Sequence, residues 1–270
     1  MLDSKEVTVK TLRAIVLLAL FAAPAAAQTG VGVSPPRVVL SGQPGDVLEG
    51  VVVVDHPGND APMQVDVSLS DVAVQPDGEP VYLSPGAVPQ SAATWIAVSP
   101  PSFALQPKES HEVRYAVHVP ADAKPGTHWA VIFFDSGPVQ KRQAKGVGVN
   151  MRVRVGHVVY VNVGEIVISG QIRGVRYQPP AGKNPAEVRV RFRNTGNGLM
   201  RLNGYVELRD ENGKVAARGQ VSNAASLPGY EYEIAAQFKE PPPKGSYLVL
   251  IMLDYGGEEA IIGEGRVQVP

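Results

Sequence analysis

The sequence predicts an all-β protein built from two tandem immunoglobulin-like β-sandwiches that follow an N-terminal signal peptide. The 28 glycines and 24 prolines are scattered between short valine-rich runs, which is how turns punctuate an all-β chain. Apolar and polar residues alternate within those runs with the period of two of a strand, and no 12-residue window of the mature chain has helical periodicity. One strand-and-turn pattern also occurs twice along the chain, which indicates two similar domains.

Residues 1–27 have the pattern of a secretory signal peptide. Lys5, Lys10 and Arg13 precede an apolar run over residues 14–23, and small residues lead up to Ala27. We therefore expect cleavage after Ala27 and export to the periplasm or the cell surface. The apolar run is shorter than the roughly 20 residues that cross a bilayer, and no other stretch comes close to that length. We therefore predict no transmembrane segment in the mature chain. The chain has no cysteine, so each domain must be stabilised by its apolar core without disulfides.

The first domain is predicted to span residues 28–163. Residues 76–92 are rich in proline, glycine and serine, which indicates a long hairpin or loop. Elsewhere in this block, short apolar runs bounded by turn residues predict strands at 37–40, 47–54, 63–69, 94–100, 112–119 and 128–134.

The chain is organised around residues 146–163, which end the first domain. Val147, Val149, Met151, Val153 and Val155 alternate with glycine, asparagine and arginine, so all five apolar side chains share one face of an extended strand. The pattern predicts one long strand. Its apolar face is either part of a sandwich core or an exposed edge offered to a partner.

The second domain, predicted over residues 164–270, repeats the pattern of the first. Gly126, Trp129 and Asp135 correspond to Gly245, Tyr247 and Asp254, with nine positions from the glycine to the aspartate in both blocks. We expect the glycine to set up a late strand and the aromatic side chain to fill the core between the two sheets. The domain boundary is predicted between residues 163 and 169.

The charges are distributed unevenly between the two halves. Residues 28–136 hold 12 acidic and 4 basic residues, whereas residues 137–270 hold 12 acidic and 18 basic residues. This asymmetry indicates either an anionic partner for the second half or docking of one domain on the other.

The sequence offers few groups for catalysis or metal binding. Its histidines do not form a metal-binding motif, no serine is paired with a base, and no helix follows the glycines at 146–148 to hold a phosphate. We predict a protein that is not an enzyme and has no cofactor and no metal. The histidines are His56, His111, His118, His128 and His157.

Arginines alternate along one predicted strand of the second domain. Arg189, Arg191 and Arg193 would project from the same strand face. Because guanidinium groups fit carboxylates and phosphates, this row is a candidate anion-binding site, for example for an anionic wall polymer. A solvated face that discourages edge aggregation explains the row equally well. Nucleic acid is not an expected partner of an exported chain without aromatic residues between its arginines.

The first domain resembles the N-terminal domain of PapD-like periplasmic pilus chaperones. The resemblance rests on residues 34–40, 95–100 and 103–109 and on the final alternating strand. In that family the last strand of the first domain lends apolar side chains to a pilin subunit that lacks one strand. The resemblance implies apolar contacts from Val147, Val149, Met151 and Val153. It also implies that Arg37 and Arg154 form a basic pair that binds the subunit's terminal carboxylate.

The same domain is also similar to the N-terminal domain of WxL-interacting cell-surface proteins. The shared motifs lie at residues 95–100, 105–110 and 119–126. The second domain is similar to adhesion-type β-sandwiches in general.

Two functions are therefore expected. The first is an exported chaperone that binds pilus or surface protein subunits by donor-strand complementation through the 147–155 strand. The alternative is a non-catalytic module of the cell envelope that binds wall polymer or a partner surface protein.

Overall fold

A computed structural model describes residues 30–58, 61–137, 139–141, 149–257 and 259–270; only the backbone is described for 139–141 and 149–151. The predicted signal peptide and Val147 lie outside these residues. In the described part of the chain, no helix combines the length and the apolar character needed to cross a membrane.

In the ranges given above, the protein consists of β-strands and a 3₁₀ turn at Ala93–Trp95. In chain order the strands are β1 (Gly32–Ser34), β2 (Arg37–Gly42), β3 (Val47–Asp55), β4 (Met63–Val74), β5 (Pro80–Leu83), β6 (Ile96–Ser99), β7 (Ser102–Leu105), β8 (Ser110–His118), β9 (Gly126–Ser136), β10 (Val139–Lys141), β11 (Val149–Met151), β12 (Arg154–Val163), β13 (Gly170–Gln178), β14 (Glu187–Asn194), β15 (Met200–Arg209), β16 (Val215–Ser226), β17 (Glu231–Gln237), β18 (Gly245–Asp254) and β19 (Ile261–Val269).

The first sandwich packs two sheets face to face. One sheet has the order β1-β3-β8-β6, and the other has the order β2-β12-β9-β4-β5, with β7 added beside β4. Strands β10 and β11 form a separate antiparallel pair. Strand β12 runs parallel to β2 and antiparallel to β9.

The core of the first sandwich follows the alternation seen in the sequence. Even-numbered residues of β9 and odd-numbered residues of β12 point into it, because side chains alternate between the two faces of a strand. Its fully buried members include Val52, Val54, Ala130, Ile132, Phe134, Val159, Val161 and Val163.

The second sandwich is formed by one seven-stranded sheet with the order β13-β14-β17-β16-β15-β18-β19. Strands β16 and β17 share only the pair Gln220 and Gln237, so the sheet folds there into two layers over one core. That core includes Val190, Phe192, Leu208 and Ile251, all with no exposed surface. The predicted fold class, all-β with tandem immunoglobulin-like sandwiches, is confirmed.

Trp129 does not fill the core between the two sheets of the first sandwich, as the repeat had suggested. Its side chain is on the opposite face of β9 from Ile132 and joins Tyr160 and Leu227 in a separate cluster between the two sandwiches. The physical reason is that β9 is buried on both faces, so alternation alone cannot tell which face holds the core. Tyr247 does lie in the core of the second sandwich.

The predicted long strand over 146–163 is divided in two where it is described. Strand β11 ends at Met151 and β12 begins at Arg154, so Arg152 and Val153 interrupt the regular pairing.

Hydrogen bonds at several places join the sandwiches. The Thr127 N–H donates to the Asn197 carbonyl at 2.8 Å, and the Leu199 N–H donates to Thr127 Oγ1 at 2.9 Å. On the other side of the cluster, the Glu233 N–H donates to the Pro76 carbonyl at 3.2 Å. Gly126 has a φ of +137°, and a Cβ there would lie 2.9 Å from the Asn197 carbonyl oxygen, so this junction requires glycine.

Candidate strand-addition edge

Strand β12 is paired on both sides along only part of its length. Strand β9 pairs with all of it, from Arg154 to Val163. Strand β2 pairs with it only from Val158 onward, beginning at the pair of Val158 and Arg37. Among the described residues, no strand pairs with residues 154–157 on the β2 side. We call this segment the open edge.

The open edge exists because the chain before β2 cannot continue the ladder. The Pro36 carbonyl accepts the Val158 N–H at 3.0 Å. A residue in that position of a parallel ladder would also donate its N–H to the Gly156 carbonyl, but proline has no N–H. The preceding strand β1 instead pairs with β3 in the other sheet. Pro35 and Pro36 thus end the pairing before residue 157.

The N–H and C=O groups that point to the open side can be identified, because successive residues of a strand direct these groups to opposite sides. The N–H groups of Val158 and Gly164 point toward β2, to Pro36 and Gly42. The Val153 carbonyl points the other way and accepts the Ser136 N–H at 2.8 Å. Even-numbered residues therefore face the β2 side, so the N–H and C=O groups of Arg154 and Gly156 face the open side. This is a short template for an added strand.

The predicted apolar contact residues are only partly described. Val153 is half-buried and packs against the core of the first sandwich. Val149 and Met151 lie in β11, whose backbone pairs with β10, and Val147 lies outside the described residues. Their contact with a partner stays a prediction.

Arg37 and Arg154 are not brought together. Arg154 forms a bidentate ion pair with Asp135, with its Nε 2.5 Å from Oδ1 and its Nη2 3.1 Å from Oδ2. Its guanidinium also lies 5.1 Å from the centre of the Phe133 ring. The hydrogen bond to Asp135 and the aspartate charge raise the pKa of Arg154. Arg37 is exposed opposite Val158, about 13 Å farther along the strand at about 3.3 Å per residue. Their joint binding of a carboxylate stays a prediction.

A buried histidine fixes the end of the open edge. His157 has no exposed surface, and its Nδ1 lies 2.7 Å from the Pro35 carbonyl oxygen, while its Nε2 lies 3.0 Å from the Tyr115 hydroxyl. Burial lowers the pKa of His157 and raises the pKa of Tyr115 to about 12. The neutral imidazole thus donates to Pro35 and accepts from Tyr115, which ties the proline segment to β12 and β8.

The outer face of the same sheet is apolar beside the open edge. Phe133, which pairs with Gly156, packs edge-on against Tyr82 with the ring centres 4.9 Å apart. Val131 and Val158 continue this face toward the second sandwich, where it borders a cavity of about 220 Å³. An unpaired backbone edge and an apolar face therefore lie side by side.

The arginine row of the second sandwich already has carboxylate partners. Arg189 forms an ion pair with Glu187 at 2.5 Å, and Arg191 lies 3.6 Å from Glu231. Arg193 is exposed at the end of β14. These ion pairs reduce the positive charge available to an anionic ligand. In the described ranges, no group of three or more His, Asp or Glu residues is arranged to hold a metal ion.

Sequence reasoning missed the two residues that shape the edge, Pro36 and Gly156. The sequence signal for Pro36 is the Pro-Pro pair directly before a predicted strand. Proline has no N–H group and cannot donate a hydrogen bond to a neighbouring strand, so such a pair indicates that pairing ends there. Gly156 is a glycine inside an otherwise valine-rich strand, which is a sign of close approach by neighbouring groups.

Comparison with solved structures identifies the fold. The class 5 fimbriae chaperone CfaA is 13% identical and aligns over 89% of this chain and 100% of its own, with a TM-score of 0.50. A chain of the Salmonella enterica SafA pilin–SafB chaperone complex is 15% identical over 91% of this chain and 99% of its own, with a TM-score of 0.45. The E. coli chaperone DraB is 16% identical over 90% and 96%, with a TM-score of 0.42. A scan against protein-family models and a search of curated proteins found no match. The likeness to CfaA, with its TM-score of 0.50, shows that the chain shares the fold of this fimbriae chaperone.

Proposed function

We propose that this protein is an exported, non-enzymatic chaperone that binds pilus or surface protein subunits by donor-strand complementation through the 147–155 strand. The binding site includes the open edge at residues 154–157. The two domains span residues 28–163 and 164–270, and the signal peptide, residues 1–27, directs the chain to the periplasm. The likeness to fimbrial chaperones supports this proposal at the level of the fold.

The observation that carries the proposal is the half-paired strand β12. An incomplete immunoglobulin-like subunit exposes an unpaired strand edge and an apolar groove, both of which promote aggregation. The Arg154 and Gly156 backbone groups can pair with the strand edge of such a subunit, and the apolar residues of the 147–155 strand can cover its groove. Binding would then hide both surfaces from other subunits.

The experiment uses an immunoglobulin-like fimbrial subunit that lacks its final strand, diluted from denaturant into the mature protein. We expect the wild type to suppress the subunit's light scattering at equimolar concentration and to elute with it in size-exclusion chromatography. Arg154→Pro removes the open-side N–H at that position, and Arg154→Ala is the matched control because both variants lose the guanidinium. The proline variant should lower affinity at least about tenfold relative to the alanine variant, since it loses a backbone hydrogen bond and its geometry.

Equal affinities for these two variants, with both folded by circular dichroism, would contradict strand addition at the open edge. A complex that weakens steeply between low and high salt would instead support binding through charged rows such as Arg189, Arg191 and Arg193. In that case the envelope-module alternative would replace the chaperone.

A further inference from the structure

A cavity of about 220 Å³ lies between the outer face of the first sandwich and strand β16 of the second. From the first sandwich it is lined by side chains including Val72, Tyr82, Val131 and Val158, and from the second by residues including Ala225 and Leu227. Pro80 and Gly78, at the β4–β5 turn, line another side. The cavity is therefore bounded by both sandwiches and by the hairpin that reaches from one to the other.

The chemistry of the lining selects a neutral apolar group. None of the residues that line the cavity carries a charge at neutral pH, since the lining consists of valine, tyrosine, tryptophan, leucine, alanine, proline and glycine. The indole N–H of Trp129 is already bonded to the Val72 carbonyl at 2.8 Å. The volume exceeds the roughly 150 Å³ of an apolar cavity that holds benzene. A phenyl or branched alkyl group would thus fit.

The Val131 side chain lies between this cavity and Gly156 in the open edge. It has no side chain on the outer face, and a Cβ there would lie 2.8 Å from Val131 Cγ1 and 3.2 Å from Phe133 Cε1. The two neighbouring side chains therefore lean over Gly156, and Val131 also lines the cavity. In a sheet, side chains of paired residues on adjacent strands share a face. A residue of an added strand opposite Gly156 would thus point its side chain onto this apolar path.

We infer that the cavity receives one large apolar side chain of the bound subunit, which reaches it past the Val131 side chain. This inference rests on the chaperone function proposed above and adds a contact in which the subunit inserts a side chain into this protein. The cavity would then help to select the subunit. A subunit with a small residue opposite Gly156 would leave the cavity empty, and one with a charged residue there would bury a charge.

The first experiment tests the cavity without a subunit and uses toluene as the probe. Methyl signals of Val131 and Val158 are followed by NMR as toluene is added. We expect saturable shifts in the wild type and at least tenfold weaker binding in Ala225→Leu, which fills the cavity from the second sandwich. Ala216→Leu lies at an exposed position of the same strand and should bind as the wild type does. Absence of saturable shifts at both valines in the wild type would overturn the inference.

The second experiment tests the occupant with the same fimbrial subunit lacking its final strand. Ala225→Leu should lower affinity about tenfold, and Ala216→Leu should not. Val72→Phe places a ring in the cavity from the first sandwich and should reproduce the loss if Ala225→Leu proves unstable. If Arg154→Pro weakens binding while both filled-cavity variants bind normally, the proposed function stands and the cavity inference is wrong. If the wild type does not bind the subunit, both are wrong.

Discussion

The two halves of strand β12 differ in what covers their edges. From Val158 to Val163 the strand is paired on both sides and its odd-numbered side chains are fully buried. From residue 154 to 157 it has one partner among the described strands, and Arg154 is exposed. The difference arises from the neighbouring segment, since Pro36 cannot donate a hydrogen bond toward Gly156. One strand thus contains both a segment paired on two sides and the open edge.

This comparison shows how an open edge can persist in a stable domain. A long unpaired strand edge risks aggregation, but here only four residues are open in the described part of β12, and one of them, Arg154, forms an ion pair with Asp135. The doubly paired half holds the strand in register. The risk of aggregation is therefore limited to a short segment of the strand.

The largest expected effect is a difference in stability between aspartate substitutions in the two halves of β12. Val161→Asp places a carboxylate where the native side chain has no exposed surface, so we expect a loss of at least about 4 kcal/mol in the free energy of unfolding. Val155→Asp lies on the same face in the open half, where the side chain is half-buried, and should cost less than half as much. Urea denaturation measures both values. Similar losses would show that the open half is packed as tightly as the closed half.

The fold could be predicted from the sequence because strand alternation is a local property. The predicted strand at 47–54 corresponds to β3, Val47–Asp55, and the run at 63–69 lies within β4, Met63–Val74. Alternation fails where both faces of a strand are buried. Strand β9 is such a case, so the sequence could not tell that Trp129 packs between the sandwiches.

The candidate site could be predicted only in part, because pairing is a property of distant segments. The sequence indicated the strand that carries the open edge and the residues on it. It did not indicate that Asp135, 19 residues before Arg154, binds its guanidinium. Nor did it indicate that Gly156 lies beneath Val131 and Phe133, which depends on the register between β12 and β9.

A second prediction uses His157, which lies at the junction of the two halves. Burial lowers its pKa in the folded protein, whereas the unfolded chain has the ordinary value near 6.5. Below about pH 6.5 the unfolded state binds more protons, so stability falls as the pH decreases and is fully present above that value. The slope from one histidine is at most about 1.4 kcal/mol per pH unit.

His128 also lowers the stability of the folded protein as the pH decreases, because burial lowers its pKa. The variant His157→Gln removes the contribution of His157 to the pH dependence of stability. Glutamine can still donate a hydrogen bond to the Pro35 carbonyl and accept one from Tyr115, but it does not titrate. Urea midpoints between pH 7.5 and 5 should depend less steeply on pH in this variant. An unchanged slope would assign the acid sensitivity to other groups and remove His157 from the comparison.

The smallest expected effect on stability comes from Pro36→Ala, which should shorten the open edge. The new N–H at position 36 would face the Gly156 carbonyl, so it should form one more ladder hydrogen bond and exchange slowly with deuterium. The net change in unfolding free energy should stay within about 1 kcal/mol, because the added bond is offset by the greater freedom of the unfolded chain. Binding of the fimbrial subunit should nevertheless weaken several-fold, since an acceptor of the edge is now occupied. Pro180→Ala, exposed in the loop after β13, is the control and should change neither quantity. Rapid exchange at position 36 together with unchanged binding would mean that the missing proline N–H does not set the length of the open edge.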